Sequence, residues 1–155
     1  MDLDAAVNGV DWSSFASPPW HSPAAVRTAL AGITSGREEW NVAWAVAMLE
    51  DAVAHGHSGS LSPAAGPAVD VLLAVAVRWR AEARAQALSS LSSLLSYEAV
   101  PPWAVYERDG IRVDVEDDVR ARIRAGLPLL ESLAAEAQPW RSNRGLARQL
   151  IDEAG

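Results

Sequence analysis

The tetrapeptide Ser-Pro-Ala-Ala occurs twice, at Ser22–Ala25 and Ser62–Ala65, and each copy opens a stretch with helical apolar spacing. The interval between the copies is the length of one helical hairpin, so the spacing predicts stacked helix pairs. A second echo aligns Pro67–Arg80 (PAVDVLLAVAVRWR) with Pro128–Arg141 (PLLESLAAEAQPWR) without a gap. Both place an acid fourth, Leu sixth and Trp-Arg at the close. Repetition at a period of a few tens of residues marks chains in which each unit buries its apolar face against its neighbours. The expected fold is all-α: a short right-handed α-solenoid of about three helical hairpins, in one domain over residues 1–155.

Composition narrows this further. Half of the 155 residues are hydrophobic, enough for a sizeable core. There is no Cys, which removes disulfides, thiolate metal sites and Cys nucleophiles and fits a reducing compartment. The start, Met1 to Val10, lacks a basic segment followed by an apolar run, so a secretory signal is not expected and a cytoplasmic location is. The longest apolar run, Val71 to Val77, is far below the ~20 residues that cross a bilayer.

The net charge of -7 is uneven: residues 1–55 carry seven acids and two Arg, 56–96 two acids and three Arg, and the rest eleven acids and eight Arg. Acidic flanks repel phosphate backbones and speed encounter with basic partners. A basic protein is therefore the expected partner, and nucleic acid and membrane are not.

Local signals place the elements. Residues 1–21, with Trp12, Phe15 and Trp20 among Ser and Pro, read as a cap on the first hairpin. Ser22 and Pro23 start a helix running to about Ile33, and a second spans about Arg37 to His55. Its residues Trp40, Ala43, Trp44, Ala47 and Met48 form one apolar stripe and Val42, Val46, Leu49 and Val53 another, so it is expected between two neighbours. Helices follow over about Ser62 to Val77 and Arg80 to Ser96. Residues 97–115 interrupt the repeat: Pro101-Pro102 stops a helix, and apolar-polar alternation around Asp109-Gly110 predicts a β-hairpin insertion. An acidic first turn at Asp114–Asp118 opens the next helix, which carries Val119, Ile123, Leu127, Leu130, Leu133 and Ala137 and should split at Gly126 and Pro128. A last helix covers about Ser142 to Glu153.

The chemistry-bearing residues are few. Asp51, His55 and His57 share a helix end and a glycine turn, where His55 serves the terminal carbonyls better than a metal. No Gly-x-Ser-x-Gly elbow, Walker loop, dinucleotide fingerprint or His-Glu-x-x-His helix is present, so neither catalytic residues nor a cofactor or metal site are expected. Of the seven Trp, Trp40, Trp44, Trp79 and Trp140 fall where a core needs bulk, whereas Trp20 and Trp103 sit in loops. The richest patch is the insertion, where Glu98, Glu107, Asp109, Asp114, Glu116, Asp117 and Asp118 surround Trp103 and Tyr106. Acids around aromatics suit a basic protein surface. Alternatively these acids only cap a helix, with Glu116 paired to Arg120 and Asp118 to Arg122 at i,i+4.

At His55 to Val75 (HGHSGSLSPAAGPAVDVLLAV) the chain resembles the bacterial HEAT-like repeat proteins, in which a His-x-Gly turn leads through small residues to a Pro-Ala-Val helix start. His55, Ala65, Pro67, Ala68, Val69 and Leu72 carry the likeness. Gly56-His57 departs from it, since the family more often places Gln and then Gly after that His. The likeness is best over residues 22–96. Members often lack catalytic residues, and some resemble immunity proteins that neutralise a toxin. The resemblance implies a binding role, and the acidic-aromatic insertion makes the leading expectation a non-catalytic module that occludes a basic toxin's site, with Trp103, Tyr106, Glu107, Asp109, Asp114, Glu116, Asp117 and Asp118 as binding residues. Two other expectations stand beside it. One is a DNA-processing relative of glycosylase type using Arg78, Arg80 and Arg84 with Trp79, and the other a scaffold or weak homo-oligomer.

Overall fold

Three helices begin at a cap that the sequence supplies, Asp2, Ser22 and Asp114. In a computed structural model, residues 2–15, 18–136 and 141–154 are described. Among them the chain is mostly helical, with eight helices and two small sheets.

Helix α1 (Leu3–Asn8) is capped by the Asp2 carboxylate, which accepts the N–H of Asp4. Helix α2 (Pro23–Ser35) starts as expected: Ser22 Oγ accepts the N–H of Ala25 and Pro23 fills the first turn. Helix α3 is Glu39–Val53, α4 is Ala65–Arg78 and α5 is Ala81–Ser96. No side chain near the start of α5 caps it. Instead the Glu39 carboxylate, reaching across from α3, accepts the N–H groups of Arg80 (2.9 Å) and Ala83 (3.1 Å). A charge from a neighbouring helix thus satisfies two orphan donors and complements the helix dipole.

Helix α4 is the centre of the molecule. Every residue from Ala65 to Ala76 except Asp70 is buried, and α4 packs against α1, α3, α5 and α6 (Val115–Ala125). Helices α2 and α3 pack as a pair, as do α4 and α5, and α7 (Leu127–Ala135) and α8 (Arg141–Ala154). The second helices of these pairs also touch in series, α3 on α5 and α5 on α8. The expected split of the third helical stretch falls at Gly126, between α6 and α7. The echo Pro128–Arg141 does not reproduce the unit built by Pro67–Arg80, because α7 ends at Ala135 while α4 runs on to Arg78. Ala137 and Trp140, expected in the core, lie outside the described residues.

Two strand features differ in how far they were foreseen. The hairpin β4 (Val105–Arg108) and β5 (Ile111–Asp114) pairs antiparallel around Asp109-Gly110, as the alternation predicts. Both turn residues have positive φ, +54° and +75°, which Asp tolerates and Gly adopts freely. The second sheet was not expected. β2 (Ser60–Leu61) pairs antiparallel with β1 (Ala54–His55) and parallel with β3 (Glu98–Ala99). His55 therefore sits in a strand rather than at a helix end, and its Nδ1 bonds Ser58 Oγ at 2.8 Å.

The stripe carrying Trp40 and Trp44 is the main correction. The two indoles are 64% and 67% exposed. Val42, Ala45, Val46 and Leu49 fill the buried side of α3 instead. The α2–α3 crossing is close at Gly32 and Ala45, where an added Cβ would stand 2.9 Å from the Ala45 Cβ, and Trp44 lies to the side of that contact, lining a groove between the two helices.

Candidate functional site

The hairpin is clamped to the helical core by charge. Tyr106, on β4, is only 8% exposed, and its hydroxyl donates to Asp118 Oδ2 at 2.8 Å. Asp118, in the first turn of α6, also accepts from Arg122 Nε at 2.9 Å and from an Arg108 Nη at 3.3 Å. Arg122 then bridges to Asp70 on the buried helix α4. One carboxylate so joins strand, helix and core, and every partner carries opposite charge or a donor hydrogen, as a buried ion requires.

The electrostatics follow from that closure. Burial, then the hydrogen bond to Asp118 and its negative charge, push the Tyr106 hydroxyl up to about 12 against the pull of Arg108 and Arg122. Burial also raises the Asp70 carboxyl above its ordinary value, outweighing the attraction of Arg122. For Arg122 burial acts downward, but Asp70 and Asp118 together prevail and hold the guanidinium above its usual value. At Asp70 burial and the like charge of Asp118 together outweigh Arg122 and Arg108, whereas at Arg122 the two carboxylates outweigh burial.

The sequence-derived binding residues divide into two groups. Tyr106 and Asp118 turn inward and form the clamp, so they are not part of an exposed face. Glu107, Asp109, Asp114 and Asp117 face solvent, while Trp103 and Glu116 are half-buried. Asp114 caps α6 by accepting the N–H groups of Glu116 (3.0 Å) and Asp117 (3.1 Å). Glu116 takes the N–H of Ala99 and pairs with Arg120 at 3.1 Å. The capping alternative therefore holds for Asp114, Glu116 and Asp118, with both expected i,i+4 pairs formed. Glu107 lies across the ladder from Arg112, which offsets part of its charge.

Between the hairpin and the N-terminal lead lies a cleft of about 420 Å³. Phe15 and Tyr106 meet edge to face at 5.5 Å in its wall, and Asp11, Glu107 and Asp109 line it beside Arg108 and Arg122. The Asp11 carboxylate, held by the Ser13 hydroxyl at 2.6 Å and then by the Ser13 N–H, sits below its ordinary pKa and stays ionised. Asp11 and Phe15 escape sequence reasoning because they are distant in the chain from the hairpin they face, and no local pattern links the two.

Arg84, a candidate phosphate ligand, is buried. Its Nε donates to the carbonyls of Ala76 (2.7 Å) and Trp79 (3.0 Å), and an Nη pairs with Glu136 at 2.7 Å. Arg78 and Arg80 remain exposed. Among the described residues no three His, Asp or Glu side chains come together to hold a metal ion, and no helix is long and apolar enough to cross a membrane. No family model, no curated protein and no solved structure matches the chain.

Proposed function

We propose that the chain is a non-catalytic protein-binding module, a short α-solenoid of the HEAT-like kind, that grips a basic protein at the cleft beneath its hairpin. Its effect would be the one that the resemblance to HEAT-like repeat proteins suggests, covering the active site of a toxin as an immunity protein does. The serial contacts α3 on α5 on α8 support the solenoid arrangement. The observation that carries the binding role is the cleft: three solvent-facing carboxylates, Asp11, Glu107 and Asp109, outnumber the cations Arg108 and Arg122 around the Phe15–Tyr106 wall, and the hairpin is fixed by the network centred on the buried Asp118. A cationic side chain entering there meets aromatic faces and rim carboxylates, the combination that favours Arg and Lys. A rigid hairpin adds no ordering cost to that encounter. A DNA-processing role draws less support, since Arg84 is committed to Glu136 and two carbonyls.

The test uses the purified product of the reading frame adjacent to this chain's gene. The expected result is a stoichiometric complex by calorimetry that weakens about tenfold or more in the variant Asp11→Asn, Glu107→Gln, Asp109→Asn and weakens further with salt. A complex indifferent to all three changes would reject the cleft as the binding site.

A further inference from the structure

Trp40 and Trp44 stand one turn apart on the outer face of α3 and, with Ile111 at the hairpin tip, are the most exposed large apolar side chains among the described residues. Beside them runs a groove of about 510 Å³ between α2 and α3, into which Trp44 and Met48 reach. The Trp40 indole N–H is taken by Glu38 at 2.7 Å. Indole pairs of this kind, wide, stiff and amphipathic, are what contact hot spots are made of.

The charges around them specify the partner. The segment from Arg37 to Val53 holds four acids and a single Arg. Glu39 and Glu50 are spent inward, on the N–H groups opening α5 and on Ser90 Oγ at 2.6 Å. Glu38 and Asp51 are left exposed at the two ends of the Trp face, about 20 Å apart along the helix axis. The C-terminal turn of α2, the negative end of its dipole, lines the groove at Ser35 and Gly36. Arg37 is the one cation there, and Glu38 is its immediate neighbour in the chain.

We infer that this face docks a basic amphipathic helix of another protein, its apolar side on Trp40, Trp44 and the groove and its cations toward Glu38 and Asp51. This surface is separate from the cleft under the hairpin and does not rest on the role proposed for it.

The probe is a labelled helical peptide of about five turns with Leu on one face and Arg on the other, titrated by fluorescence anisotropy against the full chain. Saturable binding is expected. It should weaken about tenfold or more in Trp40→Ser and Trp44→Ser, and by a similar factor for a scrambled peptide of the same composition. A peptide with Glu for Arg should not bind. Because both indoles are exposed, the variants should keep the wild-type circular dichroism. Should either misfold, the indole N–H resonances assigned through Trp40→Phe and Trp44→Phe give the second readout: these two shift on titration and the others hold still. Equal binding by wild type and the double Ser variant, or shifts confined to other indoles, would overturn the inference. So would a concentration-dependent dimer that the double variant abolishes, since a second copy would then cover the face.

Discussion

Asp118 accepts three donors while almost wholly enclosed, so removing any one of them exposes how much the hairpin depends on it. Tyr106→Phe deletes the shortest of these bonds and should cost about 1.5–3 kcal/mol, the range for a hydrogen bond to a charged group, read from the urea midpoint. The same hydroxyl makes an alkaline prediction. Its folded pKa lies above the unfolded one, so the folded state holds the proton more tightly and loses stability as pH rises from 10 to about 12. That loss should shrink in Tyr106→Phe. His21 works in the opposite direction. Its Nδ1 meets the Ala52 carbonyl at 2.6 Å, and its buried Nε2 has no partner among the described residues. Burial lowers its pKa against the raising effect of that carbonyl. The unfolded chain therefore binds the proton first, and stability should fall as pH drops below 6.5. His21→Asn, which keeps a donor and removes the titration, should flatten the slope of melting temperature between about pH 7.5 and about pH 5. An unchanged slope would assign the effect to other groups.

At the scale of elements, α4 and α6 approach closely enough that glycine is required where they meet. A Cβ on Gly66 would stand 2.0 Å from Asp118 Oδ2, and that oxygen cannot swing away because Tyr106 and Arg122 hold it. Gly66→Ala should therefore destabilise by about 1–3 kcal/mol or more, measured by chemical unfolding, and should loosen the hairpin as well. Much of the element plan was legible because its causes are local. Ser22-Pro23 supplies a cap and a first turn, Asp109-Gly110 a turn with positive φ, Asp114 a cap and Gly126 a break. What was misjudged depends on neighbours. A stripe at i and i+4 fixes the direction in which Trp40 and Trp44 point, but whether another helix covers that face depends on packing that the spacing does not record, and here both stay exposed. Alternation along β4 likewise separates Tyr106 from Glu107 and leaves open which of the two faces the core. The three-stranded sheet was missed because its strands are two residues each, too short to carry a period.

For the molecule as a whole, the charge balance and the burial pattern point the same way. The buried Arg84 and the half-buried Arg122 are matched to carboxylates inside the fold, while Asp11, Glu107 and Asp109 on the N-terminal lead and the hairpin face water. The candidate site was half visible from the sequence: the acidic hairpin could be read, while the opposing wall, Asp11 and Phe15, is brought in only by α1 packing on α4. Recognition by shape and negative potential is most directly tested by hydrogen–deuterium exchange of the chain alone and in complex with the product of the adjacent reading frame. Protection should concentrate in residues 9–15 and 105–111, the two walls of the cleft. A complex that leaves both segments exchanging at their free rates would contradict it.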